Sequence, residues 1–236
     1  MSKFIQAVSD YYELTKAGYY LGVAVILLLI FVTAAIIAKR QNVGKMTVKG
    51  IAFAGAALAL AVITSFVKYE LPMGGSVTLF SMFFVCLVGY TYGVSAGLTA
   101  AFAYGMFQFL QTGATYFLTP FQTCCDYFFA FTALGIAGFW YKKKNGLVIG
   151  YVVAALVRGL FHTLGGYIYW MDYMPDTFPK SLAVVYPIVY NYSYILIEMI
   201  ITLILINIPP VKKAINRLVS WVSDDNTTSG DVSAQA

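Results

Sequence analysis

Four ionisable side chains fall inside long apolar stretches of this 236-residue chain: Asp126, Arg158, His162 and Glu198. Each is costly in hydrocarbon, so such residues face the interior of a helix bundle, where they pair with one another or mark a ligand or ion site. Arg158 and His162 stand at i and i+4 and share a helix face, which Gly166 continues one turn further on. Tyr167, Tyr169 and Trp170 follow at once. If these groups converge, a carboxylate, a histidine, aromatic rings and an amide would suit a small aromatic cation. The carboxylate would offset its charge, the rings would stack on it and the amide would fix its orientation. A single histidine cannot supply a multi-histidine metal site, and no HExxH or CxxC pattern accompanies it, so no metal is expected. No GxxxxGK[ST] loop is present either. A chain of this kind that accumulates a solute must draw on an ion gradient or on another subunit.

The elements that carry these residues follow from composition. The chain is 60% hydrophobic and 11% charged, with mean hydropathy +0.77, whereas soluble domains carry about a quarter charged residues. It reads as an all-α integral membrane protein. Seven apolar runs approach or exceed the roughly 20 residues that cross a bilayer, at 19–38, 45–69, 77–93, 95–112, 121–141, 147–170 and 181–208. The third and fourth are short and join at Tyr92-Gly93-Val94-Ser95. The first run is too long for a signal h-region and lacks an A-x-A-like cleavage site, so it is taken as a spanning helix. Basic residues alternate between the connections: Lys39, Arg40, Lys45 and Lys49, then Lys142, Lys143 and Lys144, then Lys212, Lys213 and Arg217. The positive-inside rule makes these segments cytoplasmic, with the amino terminus outside and the carboxyl terminus inside. Asp10, Glu13, Glu70, Asp172 and Asp176 then lie outside, and the net charge of +5 reports topology, not a nucleic-acid footprint. Cys86, Cys124 and Cys125 make no disulfide framework and read as small buried hydrophobes. The polar tail from about Ser223 reads as disordered.

Depth decides convergence. At about 1.5 Å of rise per residue, Asp126 lies roughly 8 Å below the outer end of its helix and His162 roughly 12 Å below the outer end of its own. Tyr186 and Asn191 lie in the outer half of the last span, while Glu198 is about 26 Å down and apart from them. Asp126, His162, Trp170, Tyr186 and Asn191 would thus line a half-open outer pocket. The plainer readings are a core histidine bonded to a hydroxyl or carbonyl, and an interfacial belt formed by Tyr167, Tyr169 and Trp170. Glu198 is expected to bond a hydroxyl, or Arg158 if their helices are neighbours. Ala52 and Ala56 make a small-residue stripe for internal packing or a partner subunit, and Gly97, Ala101 and Gly105 a second stripe for internal packing. Pro72 and Gly74-Gly75 make an outer loop, either a lid or a plain connection.

The ordered series LPMGGSVTLFSM, YGVSAGLTAAFAYG, CDYFFAFTALGIAGFW, FHTLGGYIYW and VYPIVYN resembles the thiamine-specific substrate-binding subunits, or S components, of energy-coupling factor transporters. The resemblance covers roughly residues 45–210. It implies a six-helix binding domain, with an N-terminal segment at 1–44 carrying an extra span and a basic then disordered cytoplasmic tail at 211–236. It also implies high-affinity thiamine binding from outside, no chemistry and no cofactor. The implied partners are a transmembrane coupling subunit and two cytoplasmic ATPase subunits in a bacterial cytoplasmic membrane. Release would come from toppling of the subunit in the membrane. The family's acidic residue and following tyrosine fall on Asp126 and Tyr127, its histidine on His162, its glycine on Gly166 and its stacking tryptophan on Trp170. Its last-helix tyrosine and asparagine fall on Tyr186 and Asn191. Its basic residue one turn before the histidine falls on Arg158, read here as a charge partner beneath the site. The alanine stripe at Ala52 and Ala56 falls where the family docks on its coupling subunit. The chain departs from the pattern twice: the acid is usually glutamate, and Gln108 stands where some members have a pocket tryptophan.

Three functions compete on these residues. The leading one is a thiamine-binding uptake subunit, with a thiamine precursor or another ring-shaped vitamin as the alternative ligand. A membrane-embedded enzyme would use Asp126, His162 and Arg158 as acid, base and anion clamp. A structural membrane protein would use the same polar groups only to hold its helices together.

Overall fold

A computed structural model of the chain describes residues 3–8, 11–41, 43, 46–71, 75–112 and 117–223. Asp10, Lys45, Pro72, Gly74 and the polar tail after Ser223 lie outside the described residues. A short hairpin of β1 (Ile5–Val8) and β2 (Tyr11–Leu14) leads into helix α1 (Lys16–Gln41). There follow α2 (Val48–Ser65), a hairpin of β3 (Lys68–Glu70) and β4 (Ser76–Thr78), and α3 (Ser81–Gln111). The composite helices α4 (Pro120–Trp140), α5 (Gly146–Tyr173) and α6 (Lys180–Asn207) come next, then α7 (Pro209–Ser223). Among the described residues six helices, α1 to α6, are long and apolar enough to cross a membrane. Helix is the form such segments must take, because hydrocarbon offers the backbone no hydrogen-bond partners. Their outward faces are apolar too, as at Leu28, Phe31, Ile51 and Ile204.

Two of the expected spans, 77–93 and 95–112, fall within α3, whose backbone breaks at Gly93 (φ 83, ψ 178). A Cβ on Gly89 would lie 3.3 Å from the Cα of Gly97. Eight residues of straight helix would separate those positions by about 12 Å, so the chain doubles back on itself at Gly93. Gln41, at the end of α1, fastens this reversal. Its Oε1 accepts a hydrogen bond from Val94 N (3.1 Å) and its Nε2 donates to Gly138 O (2.6 Å). The last turns of α4 press against both arms of α3: an added Cβ on Gly89 would fall 2.9 Å from Gly138 N, and added Cβ atoms on Gly135 and Gly138 would fall 2.5 Å from Leu98 Cα and Val94 Cα. The stripe of Gly97, Ala101 and Gly105 is buried in this packing, as expected of internal contact. Ala52 and Ala56, by contrast, are exposed.

The core lies where α3, α4, α5 and α6 meet, around Met82, Tyr104, Leu134, Tyr151, Ala154 and Ile195. Helix α1 covers the back of α4 and α5, with Val23, Ile26 and Leu27 against Cys125, Ala130 and Phe161. Where the start of α1 meets the end of α5, the Tyr19 and Tyr167 rings stack at 5.8 Å and the Tyr20 and Tyr169 hydroxyls lie 3.2 Å apart. Tyr167 is therefore a packing residue; its hydroxyl donates to Val184 O (2.5 Å). The basic segment from 211, which the sequence left without an assigned form, is helical as far as Ser223. Its exposed Lys212, Lys213 and Arg217 lie opposite Val211, Ile215, Val219 and Val222, which turn inward. That division of one helix surface keeps α7 against the bundle: Lys49 Nζ donates to Trp221 O (2.7 Å), and Tyr92 Oη to Val222 O (3.4 Å).

Candidate functional site: a polar cavity walled by aromatic rings

Two of the helices that carry the site widen where the key residues sit. In α4, residues Cys124–Phe129 form a π-helical turn around Asp126, and in α5 residues Gly166–Trp170 form another. Such turns insert an extra residue into a helix and so re-aim the side chains beyond it, which is why they recur at functional sites. The depth match between the helices holds: His162 Nδ1 lies 3.5 Å from Asp126 Oδ1. Asp126 Oδ2 accepts hydrogen bonds from Trp170 Nε1 (3.2 Å) and from Gln122 Nε2 (2.6 Å). Carboxylate, imidazole and indole thus meet at one point.

Helix α6 supplies the opposite wall. Tyr186, Tyr190 and Tyr194 recur every fourth residue on one face, with successive ring centroids 5.9 Å apart. Asn191 donates to Pro187 O (2.8 Å) and His162 O (3.3 Å) and accepts from Tyr194 Oη (2.9 Å), so its amide ties α6 to α5. Gly166 makes that approach possible, since an added Cβ would lie 2.9 Å from Pro187 Cβ and 3.2 Å from Asn191 Nδ2. The Phe131 and Tyr194 rings stand edge-on to His162 at 6.2 Å. Residues 75–78 run beside α6: Gly75 N donates to Tyr190 Oη (3.0 Å), and about two turns further along α6 Thr78 reaches Glu198.

All the residues placed in the pocket by sequence line one cavity here: Asp126, Tyr127, His162, Gly166, Trp170, Tyr186 and Asn191, with Arg158 at its edge. About 770 Å³ of empty space, its open mouth included, falls within the range of small-molecule sites. Arg158, expected as a charge partner beneath the site, acts on the Glu198 carboxylate only at a distance. Among the described residues it makes no ion pair; its guanidinium lies 4.4 Å from the Phe131 ring centroid, and its Nε has no hydrogen bond. The reason is that Glu198 is engaged elsewhere. Its Oε2 accepts from Thr78 N (3.0 Å) and Thr78 Oγ1 (2.7 Å), and its Oε1 from Met82 N (3.3 Å) and Ser81 Oγ (3.5 Å). This carboxylate caps the start of α3, satisfying backbone N–H groups that the helix leaves unpaired. The hydroxyl-partner alternative for Glu198 is the one observed.

Gln122, Phe131, Tyr190, Tyr194, Gly75 and Ser76 also line the cavity and were not placed there from sequence, where Gly75 was read only as part of a loop. The tyrosines had left a signal in their spacing of four, and Gln122 in its position one turn before Asp126. Gln108 lies away from the cavity, donating to Ser65 Oγ (3.0 Å) and Gln111 Oε1 (3.0 Å).

A multi-pass helical bundle with a half-buried carboxylate at the edge of an aromatic-walled cavity defines a membrane protein built to hold a small molecule. Residues 51–217 match the thiamine transporter protein family (Thia_YuaJ), and the chain belongs to that family. The thiamine transporter ThiT of Bacillus subtilis (strain 168) is 29% identical over 169 residues, which are 66% of this chain and 85% of that protein. A solved structure of ThiT from Listeria monocytogenes shares the fold, with a TM-score of 0.56 at 21% identity over 68% of this chain and 94% of that one. As a member of a transporter family, the chain is not an enzyme. All of α1 precedes the residues matched to the family.

Proposed function

We propose that this chain is the thiamine-binding S component of an energy-coupling factor transporter in a bacterial cytoplasmic membrane. It binds the vitamin from outside and relies on a transmembrane coupling subunit and two ATPase subunits for its import. The chain crosses the bilayer seven times, with α3 contributing two crossings on either side of Gly93, the amino terminus outside and the carboxyl terminus in the cytoplasm. The observation that carries the reading is the Asp126 carboxylate, held between Gln122, Trp170 and His162 at the edge of a cavity walled by tyrosines. A thiazolium ring carries a positive charge that a half-buried carboxylate offsets at short range, while Trp170 and the α6 tyrosines present π faces to it. His162, Tyr127 and Tyr186 border the same space, and Gly166 keeps Asn191 within reach of a ring edge.

Purified protein titrated with thiamine and followed by intrinsic fluorescence tests this. Submicromolar binding is expected, with large losses in Asp126→Ala, Trp170→Ala and Asn191→Ala. A wild-type protein that does not respond to thiamine sinks the assignment. Preference for a thiamine precursor in competition would move the substrate while keeping the class.

A further inference from the structure

We infer that Gln122 is a positioning residue for the ligand site, one that locks the short Asp126 side chain and, through it, the Trp170 indole. The inference rests on the thiamine reading of the cavity and adds to it how an aspartate serves where the family's resemblance implies a glutamate.

Gln122 lies in the first turn of α4 and is completely buried. That turn is itself capped: Thr119 Oγ1 accepts from Gln122 N (3.1 Å), and Pro120 begins the helix, where its missing N–H costs nothing. The Gln122 side chain is pinned at both ends. Its Oε1 accepts from Leu118 N (3.1 Å), which leaves Nε2 to donate to Asp126 Oδ2 (2.6 Å). Turning the amide over would set its NH2 against an N–H and its oxygen against a carboxylate, so the orientation is fixed by its partners.

The consequence falls on Asp126. Oδ2 takes two donors, Gln122 Nε2 and Trp170 Nε1, whereas Oδ1 faces His162 Nδ1 alone, at a longer 3.5 Å. One oxygen of the carboxylate is thus committed to the scaffold and the other is left for the site. Because the indole N–H ends on the same Oδ2, fixing that oxygen also fixes the plane on which a ring would stack. A side chain with two torsions needs an external hold of this kind to present its charge in one direction, and ordering it before binding spares the complex that entropy.

The test uses the full-length protein and thiamine, with Gln122→Leu, Gln122→Glu, Asp126→Ala and the Gln122→Leu/Asp126→Ala pair. Loss of a hydrogen bond to a charged group predicts that Gln122→Leu raises the Kd about 10- to 100-fold. In the Asp126→Ala background the same change is expected to alter the Kd less than about twofold, because its effect runs through the carboxylate. Gln122→Glu keeps the shape. Its neutral acid donates to Oδ2 as the amide does, while its ionised form repels it, so its loss relative to wild type grows as pH rises. A ligand-free readout accompanies these: with 15N-labelled tryptophan, the Trp170 indole N–H signal shifts in Gln122→Leu while those of Trp140 and Trp221 stay put. Additive losses in the double variant, a Gln122→Glu deficit that does not change with pH, or an unmoved Trp170 signal overturns the inference. If wild-type protein binds no thiamine yet the indole signal still shifts, the ligand assignment fails and the positioning role stands.

Discussion

Gly166→Ala probes the spacing between α5 and α6 that builds the cavity. The new methyl carbon would sit 2.9 Å from Pro187 Cβ. Apolar carbons rest at about 3.5–4.0 Å, so roughly 0.6–1 Å must be found. The Pro187 ring cannot rotate away, because its φ is locked by the pyrrolidine. The strain therefore goes into moving α6 or the π-helical turn of α5. Either shift loosens Asn191 Nδ2, already 3.3 Å from His162 O, and turns Trp170 away from Asp126. Overpacking of this kind costs about 1–3 kcal/mol. Taken up at the site, that is roughly a 5- to 150-fold rise in Kd. Gly150→Ala is the control: its Cβ would lie 2.8 Å from Ala137 O, an equal intrusion with no cavity residue involved. Thermal midpoints in detergent should fall for both variants, whereas thiamine affinity by fluorescence titration should fall for Gly166→Ala alone. Equal Kd changes in the two, or wild-type affinity in Gly166→Ala, would refute the idea that this helix spacing sets the pocket.

Three further outcomes are expected. Glu198→Ala strips the cap from α3 and leaves Thr78 N and Met82 N buried and unpaired, lowering stability by about 3 kcal/mol, with Glu198→Gln milder; equal melting of all three proteins would contradict the capping role. Gln41→Leu removes the acceptor for Val94 N and the donor to Gly138 O, costing about 2 kcal/mol, and the argument fails if amide exchange at Val94 is no faster in the variant. Leucine at Ala52 and Ala56, which are exposed, should abolish vitamin uptake by cells while thiamine binding to the purified subunit stays intact. Retained uptake would show that the stripe does not face a partner.

Hydropathy made the helices legible, because crossing a bilayer fixes length and composition together, and a constant rise per residue turned sequence position into depth. That is why Asp126 and His162, 36 positions apart in the chain, could be placed together before any coordinates. The turn at Gly93 and the reversal it makes between two spans were legible too, although the continuity of both spans in one helical element was not. Which partner Glu198 takes was left open between a hydroxyl and Arg158, since depth along a helix says nothing about which neighbour arrives first. Glu198 meets the start of α3 because the segment after Gly75 runs beside α6, and a loop's path into a bundle leaves no periodic mark.

What the sequence determined by itself was the membrane class, the placing of the polar residues along their helices, and, through the ordered motifs, the resemblance to a vitamin-binding family. Only the tertiary structure decided that Gln122 holds Asp126, that Gly166 lets α6 approach α5, and that Gln108 lies apart from the cavity. Periodicity is a property of one helix and survives reading in one dimension. Which side chain donates to which depends on azimuth and on π-helical turns, and these are set by the packing of helices far apart in the chain.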